Sequence, residues 1–253
     1  MERIFSILNK PEISFVIPVF NEEETLRTLY EQVCGVMEKQ SDLSFEIIFI
    51  NDGSTDGSWK VLSALVNEDS RIQVIKLRRN FGKSSALSTG FEHSRGDILI
   101  TMDADLQDDP TEVPRFLEKI DEGFDLVTGW KEERHDPLSK TMPSKIFNSV
   151  TAIVSGLKLK DFNCGFKAGR REVFLSIQVY GELHRYIPVL AHHYGFSICE
   201  IPINHRPREF GKSKYGFERY VRGFLDLLTV TIITRYGGRP GHLFGGIGVL
   251  TGI

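Results

Sequence analysis

Asp103, Asp105, Gln107, Asp108 and Asp109 crowd into the segment TMDADLQDDP, directly after the mostly apolar run from Ile98 to Met102. Asp103 and Asp105 are two residues apart, so on an extended segment both carboxylates face one side and can share a hard divalent cation. Gln107 continues that spacing with a neutral oxygen. Carboxylates this close repel one another unless a cation or solvent compensates them. Two other polar clusters follow apolar runs: PVFNEE at Pro18 to Glu23 and NDGSTDG at Asn51 to Gly57. Each also reads as turn chemistry with a helix N-cap. Asn80 to Ser85, NFGKSS, superficially resembles a phosphate loop. It is not one, because Leu77 stands where a Walker A loop needs its first glycine, and no G-x-G-x-x-G follows the first apolar run. A nucleotide would therefore be held chiefly by a metal ion and side chains.

The elements that must position these residues are visible as alternating patterns. Apolar, β-branched runs at Ile13 to Phe20, Phe45 to Ile50, Ile72 to Leu77, Asp97 to Met102 and Asp125 to Trp130 read as strands. Between them, helical spacing covers Glu22 to Lys39, Gly57 to Glu68, Lys83 to His93 and Thr111 to Glu122. This predicts an α/β fold, a mostly parallel sheet with helices on both faces. Ligands of such sheets bind outside the carboxyl ends of the strands, where all three polar clusters fall. Further on, the pattern predicts a helix around Ser144 to Ser155, a strand at Cys164 to Ala168, a helix from His184 and a last strand at Ser197 to Asn204.

From Gly216 to Tyr236, the residues Phe217, Tyr220, Val221, Phe224, Leu225, Leu228 and Ile232 fall on one helical face, with Lys212, Lys214, Arg219, Arg222, Arg235 and Arg239 around it. Periodicity alone fits either a helix packed on its own core or an interfacial membrane helix. The apolar, Gly-rich run from His242 to Ile253 favours the membrane and reads as the start of a transmembrane helix, short of the roughly 20 residues a span needs.

With 253 residues, 41% of them hydrophobic, the chain can bury one large core. Its net charge of −3 conceals a polarity: up to Trp130 there are 13 Lys and Arg against 24 Asp and Glu, and beyond it 18 against 10. An acidic half suits a cation and a basic half suits phosphates or an anionic membrane. Cys34, Cys164 and Cys199 are odd in number and lack C-x-x-C spacing, which argues against a disulfide framework or a thiolate zinc site and fits a reducing cytosol. MERIFSILNK has no long apolar core and predicts no secretory signal.

In their order, PVFNEE, NDGSTDG, RRNFGKSSALSTG and DADLQDDP resemble the successive motifs of family-2 inverting glycosyltransferases of the GT-A fold. DFNCGFKAGRREV, YGELHRYIP, HRPREFGKSKYG and RPGHLFGGIG extend the resemblance to the polyprenyl-phosphate sugar synthases, the group of dolichol-phosphate mannose synthase and bacterial undecaprenyl-phosphate glucosyltransferases. The resemblance implies a catalytic domain over residues 1–215, an amphipathic interface helix over 216–238 and the start of a membrane segment over 239–253. It implies donor contacts from Pro18, Glu22, Asp52, Asp103, Ala104, Asp105, Arg208 and Lys214, with Asp52 meeting the nucleotide base. Asp103, Asp105 and Gln107 match the set that coordinates Mg²⁺ or Mn²⁺, and Asp105 and Arg208 match catalytic positions. Lys131, Arg134, Lys145 and Ser149 fall where relatives bind the acceptor phosphate. Two of those positions are commonly Arg, so lysine here replaces a bidentate fork with a point charge.

The implied reaction moves a hexose from a nucleotide diphosphate sugar to a polyprenyl phosphate on the cytosolic face of a membrane, the plasma membrane in a bacterium. UDP-glucose or a related UDP-sugar is favoured over GDP-mannose. A phosphate acceptor is largely dianionic at neutral pH and needs no general base. A sugar-hydroxyl acceptor would instead need a base among Glu132, Glu133 and Asp136, and a non-catalytic nucleotide-sugar module is the third reading. No nucleic-acid partner is expected, and a homo-oligomer is left open.

Overall fold

The computed structural model describes residues 10–40, 42–131, 148–206, 218–237 and 240–252. Seven strands, β1 (Ile13–Val19), β2 (Phe45–Asn51), β3 (Ile72–Lys76), β4 (Ile98–Thr101), β5 (Leu126–Lys131), β6 (Lys167–Arg170) and β7 (Ile198–Ile203), form one sheet in the order β3-β2-β1-β4-β6-β5-β7. All pairings are parallel except those of β6, which runs antiparallel to both neighbours, with Thr101 and Thr128 flanking Lys167. The order reverses between β1 and β4, and that reversal opens the crevice in which open α/β sheets bind ligands.

The central strands are apolar almost throughout because both faces are covered. Phe15, Ile17 and Phe49 point into one core with Leu29 and Phe116, whereas Val16, Ile48 and Ile50 point into the other with Leu87, Phe91 and Phe174. The covering helices are α1 (Leu26–Met37), α2 (Ser58–Glu68), α3 (Lys83–His93), α4 (Val113–Asp121), α5 (Arg171–Ser176) and α6 (Ile187–His193). Residues 148–155 are helical where described.

Three expectations need correction. Helix α1 starts at Leu26, not Glu22, because Asn21 takes a positive φ of 54° and the next residues form a turn closed by Thr25 N–H to Glu22 O at 3.1 Å. The strand expected at Cys164 to Ala168 lies three residues later, since Thr101 Oγ1 donates to Gly165 O at 2.7 Å and Lys167 donates to Cys164 O, which holds that stretch as a loop. Asp103 and Asp105 do not lie on an extended segment. The chain turns after Met102, and Leu106 adopts φ 62°.

The C-terminal amphipathic segment is α7 (Glu218–Thr231), continued by a π-helical turn at Ile232–Tyr236. Its apolar residues divide between buried and exposed. Leu227 and Val230 are buried against the second core, whereas the periodic positions Leu225, Leu228 and Ile232 stay exposed. Phe217 lies outside the described residues. The final helix, α8 (Pro240–Thr251), has 12 residues and so spans about 18 Å against the ~30 Å hydrocarbon core of a bilayer. Among the described residues no helix is long and apolar enough to cross a membrane.

Candidate active site

The carboxyl ends of β1 and β2 are stapled to each other by the two polar loops. Asn21 Oδ1 accepts from Thr55 N at 2.8 Å, Asn21 N donates to Ser54 Oγ at 3.0 Å, and Glu22 N donates to Ser58 Oγ at 3.0 Å. Glu23 Oε2 accepts from Gly57 N at 2.9 Å, so closely that a Cβ on Gly57 would lie 2.1 Å from Glu23 Oε1. Pro18 and Glu22, the expected donor contacts, are half-buried on this rim.

Asp52 plays a part the motif did not suggest. It is 3% exposed, and its two oxygens accept from Phe81 N at 2.7 Å and Gly82 N at 2.9 Å. The carboxylate thus clamps the loop that leads into α3, where Gly82 turns at φ 94°. Lys83, the first residue of α3, reaches from that loop to the Asp103 carboxylate and forms an ion pair with it.

Asp103 is the electrostatic centre. Burial alone would raise its carboxyl, but the Lys83 ammonium, with Lys131 and Lys167 farther out, reverses this and holds it below the ordinary 3.8. Lys167 is buried and donates to Cys164 O, and burial lowers its own ammonium. Lys131 Nζ stands 3.0 Å from His205 Nε2. Where the sequence points to a divalent cation or solvent as the counter-charge of the acidic cluster, the structure sets three lysines around Asp103, and of these only Lys131 is among the expected site residues. Lys83 and His205 were in plain view inside NFGKSS and HRPREF, yet periodicity and spacing carry no sign of which carboxylate a lysine will reach.

Asp105 is buried, and its Oδ1 accepts from Gln107 N at 3.2 Å. The Gln107 side-chain N–H donates to Arg206 O at 3.3 Å, which turns the amide oxygen away from that contact. Asp108 lies opposite His205 in an isolated antiparallel bridge, closed by Arg206 N donating to Gln107 O at 2.9 Å, while Asp108 Oδ2 accepts from Asp103 N at 3.1 Å. Burial, then the charge of Asp103, pushes the Asp108 carboxyl up to about 6. Ala104 is 3% exposed within the first core, so its methyl group faces inward. Gly165 backs the site: a Cβ there would lie 2.9 Å from Asp103 Oδ2.

Arg206, in the HRPREFGKSKYG segment, is committed to structural pairing. Its guanidinium pairs with Asp109 at 2.8 Å and donates to Gln32 at 2.9 Å, tying the chain after β7 to α1. Ser149 is exposed on the 148–155 helix, next to Asn148, whose buried amide donates to Lys160 O at 2.8 Å. Arg134, Lys145, Arg208 and Lys214 lie outside the described residues, as do Glu132, Glu133 and Asp136.

The arrangement is a half-open cluster of oxygen donors that already holds one cationic group, the Lys83 ammonium, against Asp103. Hard oxygen ligands and a stable position for positive charge are what a Mg²⁺ or Mn²⁺ ion requires. Among the described residues no three His, Cys, Asp or Glu side chains converge as a cage.

A family model described as Glycosyl transferase family 2 matches residues 14–177, from β1 to the end of α5. The chain belongs to glycosyl transferase family 2. This glycosyltransferase is 36% identical over 243 residues to the dodecaprenyl-phosphate galacturonate synthase of Rhizobium johnstonii, covering 94% of the chain and 72% of that protein. It is 37% identical over 245 residues to the undecaprenyl-phosphate 4-deoxy-4-formamido-L-arabinose transferase of Klebsiella pneumoniae, covering 95% and 73%. Its fold is shared with glucosyl-3-phosphoglycerate synthase from Mycobacterium tuberculosis, solved in complex with Mn²⁺, UDP and phosphoglyceric acid, at a TM-score of 0.66 and 19% identity over 88% of the transferase and 78% of that chain. The GT-A-like architecture expected from the motifs is therefore the one the transferase has.

Proposed function

We propose that this glycosyltransferase moves a sugar from a nucleotide diphosphate donor to a polyprenyl phosphate at a membrane surface. The observation that carries the proposal is the gathering of Lys83, Lys131 and Lys167 around Asp103 at the carboxyl end of β4, with the charges of Asp103 and Asp105 both acting on Asp108 beside them. Donor and acceptor each bring phosphate, so a site for both must offer a cation and several fixed positive charges. The two similar transferases, named for polyprenyl-phosphate acceptors, supply the acceptor class. Their sugars are galacturonate and 4-deoxy-4-formamido-L-arabinose, and so the donor is proposed as a UDP-sugar without preference for glucose.

In this reading Asp103, Asp105 and Gln107 hold Mg²⁺ or Mn²⁺, which when bound neutralises charge developing on the departing diphosphate. Pro18 and Glu22 line the donor rim, and Asp52 acts on the donor base by fixing the 79–82 loop. Lys131, steadied by His205, presents positive charge to the acceptor phosphate with Arg134, Lys145 and Ser149. Arg208 and Lys214 contribute positive charge to the donor phosphates. The acceptor's phosphate oxygen attacks the anomeric carbon directly, and no side chain is asked to remove a proton. Residues 1–215 form the catalytic unit, 216–238 its membrane-facing helix and 239–253 an apolar segment that lies at the cytosolic leaflet.

The test is transfer of radiolabelled sugar from a panel of UDP- and GDP-sugars to undecaprenyl phosphate, read as organic-extractable product. Asp105→Asn, which retains the turn to Gln107, should lower transfer by about 100-fold or more while shifting the melting temperature little. Near-native turnover of that variant, or label moving to a free sugar instead of the lipid, would overturn the proposal.

A further inference from the structure

Three ammonium groups surround Asp103, and they are not equivalent. Lys167 is 2% exposed, donates to Cys164 O and is fixed in the sheet between Thr101 and Thr128. Lys131 stands against His205. Lys83 touches the Asp103 carboxylate directly, and both partners reach solvent, with 20% of the lysine side chain and 37% of the aspartate side chain exposed. The backbone under Lys83 is held by the Asp52 clamp on Phe81 and Gly82, while its four-carbon stem lets the ammonium change partners without moving α3.

We propose that Lys83 is an exchangeable counter-ion: it pairs with Asp103 while the donor is absent and passes to the donor diphosphate when nucleotide and metal arrive, so that metal binds tightly only together with nucleotide. The inference rests on the reading of Asp103 and Asp105 as metal ligands. A divalent ion entering alone must displace the ammonium from the oxygen it would ligate and leave that positive charge beside its own. An ion entering with a diphosphate gives the displaced ammonium a new partner. The two ligands are thereby coupled through one side chain, and coupling of binding is reciprocal: metal strengthens nucleotide by the factor by which nucleotide strengthens metal.

The experiment is titration of the full chain with Mn²⁺, free ion counted by electron paramagnetic resonance, with and without UDP, for the wild type, Lys83→Met, Lys83→Arg and Asp103→Asn, each checked for folding by thermal melting. Wild type should bind Mn²⁺ weakly alone and about 100-fold more tightly with UDP. Lys83→Met should bind Mn²⁺ alone about tenfold more tightly than wild type and lose about tenfold of the coupling, and Lys83→Arg, which retains the charge, should keep most of it. Wild type that takes Mn²⁺ equally well with and without UDP overturns the proposal without any variant, as does a folded Lys83→Met with unchanged affinity and coupling. Asp103→Asn that still binds Mn²⁺ and UDP like wild type would instead show that the metal lies elsewhere and remove the reading beneath it.

Discussion

At the scale of single residues, the site depends on how closely neighbours approach Asp103. Gly165 lies in a loop whose carbonyl is held by Thr101, and its missing side chain leaves room for the carboxylate. Gly165→Ala would place a methyl 2.9 Å from Asp103 Oδ2, and the carboxylate must yield. Transfer should fall by about 100-fold, since a shift on the order of 1 Å in a positioned group costs that much, while the melting temperature moves by only a few degrees. Steady-state assay beside a thermal melt separates the two. The role of Gly165 was not legible in the sequence, because DFNCGFKAG shows a glycine but not which carboxylate packs on it. The same holds for Lys167, which sits in a strand of mixed polarity and turns out to be buried. The acidic turn after β4 was legible because polar residues directly after a buried strand stand out, whereas the extended geometry expected of Asp103 and Asp105 was not met, since the chain turns there.

At the scale of elements, the apolar runs of β1, β2 and β4 announced themselves, since strands buried on both faces need few polar residues. Strand β6, Lys167–Arg170, has charged ends and one small apolar residue in between, so its position was misjudged by three residues. It is held by packing rather than pattern: Phe166 beside it is fully buried and stacks on Phe116 of α4 at 4.4 Å between ring centroids. Phe166→Ala should cost about 3–5 kcal/mol in denaturant unfolding. At the β3 edge of the sheet, Asp69 ends α2 and joins it to β3 and α1, accepting from Arg71 at 2.7 Å and from Tyr30 at 3.0 Å. The Arg71 guanidinium, against the opposing effect of burial, draws the Asp69 carboxyl from 3.8 down to about 2. A carboxyl lowered on folding stabilises the protein above its unfolded value and loses that stabilisation as pH falls toward its folded value. Between pH 4 and pH 2 the wild type should therefore lose about 1 kcal/mol more than Asp69→Asn, a figure discounted because Arg71 is partly solvated. Urea unfolding across that range checks it.

At the scale of the whole molecule, charge and apolar surface divide the labour. The acidic half contains the candidate metal cluster, and the more basic half carries α7 and its π-helical continuation, with Leu225, Leu228 and Ile232 exposed beside the buried Leu227 and Val230. A helix anchored by one face and bare on the other is suited to lie on a lipid surface while staying attached to its domain. Replacing Leu225, Leu228 and Ile232 together with serine should weaken binding to anionic vesicles by about tenfold or more, and leave the thermal shift caused by UDP with Mn²⁺ unchanged. The heptad-like spacing of these residues was readable in the sequence, but which of them face the domain depends on the shape of the second core, which the chain assembles from distant segments. Beneath these scales lies one claim, that the turn after β4 holds a divalent ion for a nucleotide diphosphate. Anomalous diffraction at the manganese edge, from crystals grown with Mn²⁺ and UDP, measures it directly. A single strong peak within coordination distance of both Asp103 and Asp105, bridged to the diphosphate, is the expected result; nucleotide bound with no peak beside those aspartates would contradict it.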